Sequence, residues 1–148
     1  MAALDSLSAG YSKGAIMVTR TTRTYRLTMS DRGLDLFLSC HLRLCMAARD
    51  LLSYGSTLQA AMMLFASCDF DEMVAELLDP AVAKLAGDRQ HYVGASVELG
   101  DMAREIRARV SETGAVHAPS LGTVYIAALS HMSAVGDREL IRISCQLW

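Results

Sequence analysis

His41 and Cys45 stand four residues apart in the stretch "CHLRLC". On a helix that spacing puts an imidazole and a thiol on one face, the arrangement from which two ligands could reach a zinc ion. A structural zinc takes four ligands, and neither a CxxC nor an HxxxH accompanies the pair. His41 also falls among apolar residues, so the sequence predicts a hydrogen-bonded core histidine and assigns no metal. Thiol, imidazole and carboxylate can meet in space to make a nucleophilic site. Yet the surroundings of Cys40, Cys45, Cys68 and Cys145 ("CHLRLC", "FASCD", "ISCQ") carry no local signature of a thiol enzyme. A GxxxxGK[ST] loop and a GxGxxG loop are missing from the sequence, and the letters GxSxG occur only as GYSKG at residues 10–14, in the segment read as a tail and not between a strand and a helix as a nucleophile elbow requires. Asp69, Asp71, Glu72 and Glu76 would need desolvation to work as an acid–base pair. In the first turns of a helix they complement its dipole, which makes them an acidic surface patch. No catalytic residue and no cofactor is assigned, and the chain is expected not to be an enzyme.

A different kind of chemistry is offered by "MVTRTTRTYRLTM", residues 17–29, where Arg20, Arg23 and Arg26 are interleaved with threonines and no acid intervenes. Residues 1–32 hold Lys13, Arg20, Arg23, Arg26 and Arg32 against Asp5 and Asp31, although the whole chain has a formal net charge of −2. The rest is acidic, and a molecule polarised in this way can orient a charged partner or a second copy of itself. Arg20, Arg23, Tyr25, Arg26 and Arg32 are therefore the candidate partner-binding residues, because Arg and Tyr are favoured at interfaces. An exposed strand edge could add to a partner's sheet. A two-stranded ribbon could instead enter a DNA major groove, with Arg on guanine and Thr on phosphate or a thymine methyl. The strand-then-helix order of "TRTTRTYRLTMSDRGLDLFL" resembles that of ribbon-helix-helix repressors. It departs from them because the helical pattern runs on toward Tyr54 where theirs is short. Few phosphates could be neutralised by three arginines, so such binding would be weak and salt-labile.

What must position these residues is one domain. At 148 residues, 52% apolar and 20% charged, the chain can bury a continuous core. Residues 1–14, with Gly10 and Gly14, read as a loosely held tail and 15–148 as a single domain. The stretch Thr113–Gly136 lacks acidic and basic residues, but it contains His117, Pro119, His131 and several hydroxyls. It reads as a buried helix and not as a membrane span. With no leader resembling a secretory signal, reduced thiols and a cytoplasmic location are expected.

Tyr25, Leu27 and Met29 alternate with Thr24, Arg26 and Thr28, the period of a half-buried strand; residues 15–20 either continue it or form another. A helix is predicted from an N-cap at Ser30 to a terminator at Gly55, with Leu34, Phe37, Leu38, His41, Cys45, Ala48 and Leu52 on the core face. Leu36, Leu42 and Met46 add apolar surface on another side. A second helix, capped by Ser56 or Thr57, runs through "LQAAMMLFAS". A third opens on a capping box of Asp69 and Glu72, and Pro80 starts a short turn ending near Gly87. Tyr92, Ala95, Leu99, Met102, Ile106 and Val110 predict a helix over residues 89–111, with a Glu105–Arg109 pair on its wet side. Leu121, Val124, Tyr125, Ala128 and Met132 mark a fifth helix. In "LIRISCQLW", alternation of Ile141, Ile143, Cys145 and Leu147 predicts a C-terminal strand pairing with the Arg/Thr strand.

The expected fold is α+β, about five helices packed on a small sheet of N-terminal and C-terminal strands. The expected function is to bind and block or adapt a partner protein, with self-association as a further option because the helices carry more apolar surface than one core uses. Inhibitors that mobile elements direct against host defence complexes share this profile, by analogy of kind. A small DNA-binding accessory protein or repressor is the alternative, and no membrane partner is expected.

Overall fold

The alternation at Tyr25, Leu27 and Met29 becomes a strand in the computed structural model, which describes residues 22–114 and 117–147. Strand β1, Thr22–Met29, turns those three side chains inward, with exposures of 6%, 1% and 1%. The expected tail and the stretch 15–20, with Arg20, lie outside the described residues. Strand β1 pairs antiparallel with β2, Arg89–Ser96, in a register running from Thr22 opposite Ser96 to Met29 opposite Arg89. Inward from β2 come Val93 and Ala95. Two strands cannot stand alone in water, and this pair leans on helices.

Seven helices accompany the two strands among the described residues. They are α1 Asp31–Ala48, α2 Tyr54–Ala66, α3 Phe70–Leu78, α4 Pro80–Ala83, α5 Val97–Glu112, α6 Leu121–Ala134 and α7 Asp137–Ser144. The architecture is the expected mostly helical α+β domain with a small sheet, but the helix count and the second strand differ. The sheet partner is β2 and not the C-terminal segment, which is helical.

Each correction has a local cause. Tyr92, Ala95 and Leu99 fit a helical spacing, yet His91, Val93 and Ala95 fit a strand equally well. The boundary is set by Ser96, whose hydroxyl accepts the Glu98 amide at 3.1 Å and opens α5. Near the C-terminus Leu140, Ile143 and Ser144 are buried at spacings of three and four, while Ile141 is 50% exposed. Asp137 and Glu139 in the first turn of α7 and Arg142 in its last turn complement the helix dipole. The single helix expected over residues 30–55 breaks because Arg49 adopts the left-handed conformation at φ 57°. Ser53, not Ser56 or Thr57, caps α2 by accepting the Ser56 amide at 3.1 Å. Gly55 lies inside α2 and is not a terminator. The buried stripe of α1 is Gly33, Phe37, Cys40 and Leu44, so Leu38 lies on the opposite side from the one predicted. Asp69 is the N-cap of α3 but its side chain makes no capping bond. Arg109 stacks over the Phe70 ring at 5.4 Å, and no Glu105–Arg109 ion pair forms among the described residues.

Other expectations hold. Ser30 caps α1, accepting the Gly33 amide at 3.2 Å, and its hydroxyl also donates to the Lys84 carbonyl at 2.9 Å. That clasps the β1–α1 corner to the segment leading into β2. Helix α6 occupies the centre: Val124 through Leu129 are all buried, and α1, α2, α3, α4, α5 and β1 pack around it. Arg43 of α1 reaches the turn after α6, donating to the Val135 carbonyl at 2.7 Å and pairing with Asp137 at 3.1 Å.

At Gly55 helix α2 meets the sheet backbone to backbone. A Cβ on Gly55 would stand 1.8 Å from the Gly94 carbonyl oxygen, so only glycine permits this approach. A methyl group on Gly94 itself would point into open space, with nothing within 4 Å. Gly55→Ala is expected to destabilise the fold by about 2 kcal/mol or more, the scale of overpacking. Gly94→Ala, the control, should leave the free energy of denaturant unfolding within about 0.5 kcal/mol of wild type.

Candidate functional site

The outward face of the sheet carries Thr24, Arg26 and Thr28 from β1 against Gly94, Tyr92 and Gln90 from β2. Arg26 is exposed directly opposite Tyr92, which is 65% exposed. The Tyr92 hydroxyl donates to Gln90 Oε1 at 3.1 Å, which steadies the ring on this surface. Arg23 at the start of β1 and Arg32 in the first turn of α1 are also exposed. None of Arg23, Arg26 and Arg32 forms an ion pair among the described residues, whereas Arg89 is taken up by Asp31 at 2.5 Å.

Tyr25 does not belong to this surface, which corrects its assignment as a partner-binding residue. Its ring is buried, edge-on to Tyr125 of α6 at 5.9 Å between centroids. Its hydroxyl donates to the Ser96 carbonyl at 2.7 Å and accepts the Gly100 amide at 3.1 Å. Those two backbone groups would otherwise close the first turn of α5, so the phenol is inserted into a helix terminus. The strand alternation already pointed the ring inward, but no sequence pattern showed its hydroxyl partners.

The acidic residues singled out in the sequence lie on and just before α3. Asp69 stands at the N-cap position of α3 without a side-chain capping bond, Asp71 and Glu72 are exposed in its first turn, and Glu76 is half-buried one turn later. Burial, followed by the charges of Glu72 and Asp69, pushes the neighbouring Cys68 thiol above its ordinary pKa. That thiol is held in its protonated, unreactive form. Cys40 is raised further, to about 11, by burial in the core, where its Sγ approaches the Leu129 carbonyl at 3.6 Å. All four cysteines are free thiols.

His41 and Cys45 do meet, with Cys45 Sγ 3.7 Å from His41 Nε2. The third member, unseen in the sequence, is Thr57 on α2: its hydroxyl is fully buried and lies 2.7 Å from His41 Nδ1. Phe37 stacks on the imidazole and Tyr54 tilts against it at 4.7 Å. The imidazole thus bridges α1 to α2 inside an aromatic sleeve. Among the described residues no three of His, Cys, Asp and Glu converge as metal ligands. The arrangement acts as a polar rivet between two helices.

Beside this rivet an apolar cavity of about 200 Å³ opens between sheet and helices, lined by Leu27, Met29, Phe37, Leu38, Tyr54 and His91 among others. No helix among the described residues is long and apolar enough to cross a membrane. No protein family, curated protein or solved structure matches the chain.

Two outcomes test the interior chemistry. Tyr25→Phe strands the Gly100 amide and the Ser96 carbonyl, and should cost about 1–3 kcal/mol in denaturant unfolding. Burial holds the His41 pKa below its ordinary 6.5 in the folded protein. The unfolded chain therefore binds the proton more tightly, and stability contributed by neutral His41 is present above pH 6.5 and lost as pH falls toward the lowered value. Unfolding midpoints measured from pH 7.5 to 5 should fall more steeply for wild type than for His41→Gln.

Proposed function

We propose that the chain works by docking on a partner protein with the outward face of its sheet, blocking or adapting that partner without bond chemistry. The observation that supports this reading is the Arg26–Tyr92 pair: opposed in register, both exposed, the arginine without an ion-pair partner among the described residues. Tyr offers a rigid amphipathic ring and Arg a planar fork of donors, two of the three side-chain types most often decisive when an interface is truncated. A partner presenting carboxylates or free backbone carbonyls would match them. Arg23 and Arg32 extend the basic field around that centre and would speed encounter with an acidic surface. Four unpaired thiols fit a reducing cytoplasm. By analogy of kind, a mobile-element inhibitor of a host defence complex is one setting for such a molecule.

The second reading uses the same face on nucleic acid, since Thr24, Arg26 and Thr28 form an outward row on a two-stranded ribbon. The net charge of −2 argues against it as the main activity. Affinity purification from the native host after nuclease treatment separates the two. The docking reading expects a stoichiometric protein retained by wild type and held at least about thirtyfold more weakly by Arg26→Ala/Tyr92→Ala, the scale of a hot-spot loss. Retention of no protein, together with a salt-sensitive duplex DNA shift abolished by Arg23→Ala/Arg26→Ala, would replace it with the ribbon reading.

A further inference from the structure

The outer face of α1 is apolar where solvent should favour polar side chains. Leu38, Leu42 and Met46 are 44%, 61% and 62% exposed and follow one another at intervals of four. With 3.6 residues per turn they fall within about 40° of one line on the helix, diametrically opposite the buried Gly33, Phe37, Cys40 and Leu44. Contiguous exposed apolar surface of this kind marks an interaction site. It belongs to a different element from the Arg26–Tyr92 face, which it meets where Leu38 and Tyr92 line one cavity.

What covers it is indicated by the order of residues along that line. Asp35 lies seven positions before Leu42 and so on the same face of α1, and Arg49, seven positions after Leu42, is the C-cap residue just past the other end of that ridge. Both are exposed and neither forms an ion pair among the described residues. From Leu42 outward, the face is apolar at four and charged at seven in each direction, with acid at one end and base at the other. Such a surface is complementary to itself when reversed. We propose that α1 packs antiparallel against α1 of a second copy about a two-fold axis at Leu42. Leu38 of each copy then faces Met46 of the other, and Asp35 faces Arg49 twice over. This is the self-complementary interface that two-fold symmetry requires, and rows of side chains four apart are the ridges used in the commonest helix packing.

One further feature extends this face: beside Met46 a groove of about 340 Å³ opens between α1 and α7, lined by Arg43, Met46, Ala47, Asp137 and Ile141.

Sedimentation equilibrium with circular dichroism on the purified full chain tests this. Wild type should sediment at twice 16.1 kDa, and Leu42→Asp at one chain mass with an unchanged helical spectrum. Asp35→Arg and Arg49→Asp should each weaken the dimer, roughly tenfold for two lost surface pairs replaced by repulsion. The double variant Asp35→Arg/Arg49→Asp restores opposite charges across the axis and should recover wild-type affinity. A wild type that stays monomeric at roughly 0.1 mM, where even a dimer with a Kd of about 10 μM assembles, overturns the proposal. So does a double variant no tighter than its parents, because only the antiparallel register predicts rescue. The substituted side chains all lie in solvent in a single copy, so loss of fold cannot stand in for loss of pairing.

Discussion

Helix α6 has no wet side along its middle, and that single condition organises the rest of the molecule. Val124 through Leu129 are buried in succession, which demands neighbours in every direction around the axis. Amphipathic helices supply them: α1 lays down Phe37, Cys40 and Leu44, α5 contributes Leu99, Ala103, Ile106 and Val110, and α3 adds Met73. The sheet closes one flank through Tyr25, whose ring meets Tyr125 edge-on. A helix without charges is stable in water only when wrapped in this manner. Helix α2 is itself buried over most of its length, from Gly55 to Phe65, whereas α1, α3 and α5 keep one dry face each and are free to vary on the other.

Function, as proposed, resides in what those other faces carry. Several polar groups tie elements together: Cys40 approaches α6, His41 is bonded to Thr57, and Tyr25 is inserted into the start of α5. Each of these contacts fastens two elements to one another. Left outside are the Arg26–Tyr92 face and the leucine–methionine ridge of α1, on separate elements. A chain that both pairs with itself and grips a target would present that target with two copies of the gripping face, which multiplies strength through effective concentration without any new contact.

Much of this was legible in the residues. Strand β1 was readable because Tyr25, Leu27 and Met29 alternate with polar neighbours, α6 because apolar and small residues recur without a charge up to Gly136, and the Ser30 and Pro80 boundaries because their chemistry is local. What escaped was decided at a distance. Strand β2 reads as helix until Gly94 is seen against Gly55, and α7 reads as strand until Leu140 and Ile143 are seen on one buried side. Short segments such as these satisfy both periods at once, and tertiary contact chooses between them. Of the candidate site, the arginines were visible by type. Tyr92 was hidden in a mistaken helix, and the outward position of Leu38 depended on which side of α1 faced the core.

Strands β1 and β2 are partners separated by the whole of α1 to α4, with Thr22 joined to Ser96. Closing so long a loop is slow compared with winding a helix, and pairs this remote in sequence form late. During synthesis the apolar side of β1 emerges well before the only described strand that can pair with it. Until residue 96 has left the ribosome, Leu27 and Met29 are bare and the backbone of β1 is an open template. The same threonines and arginines that later face outward stand, in that interval, between this nascent segment and pairing with the wrong chain.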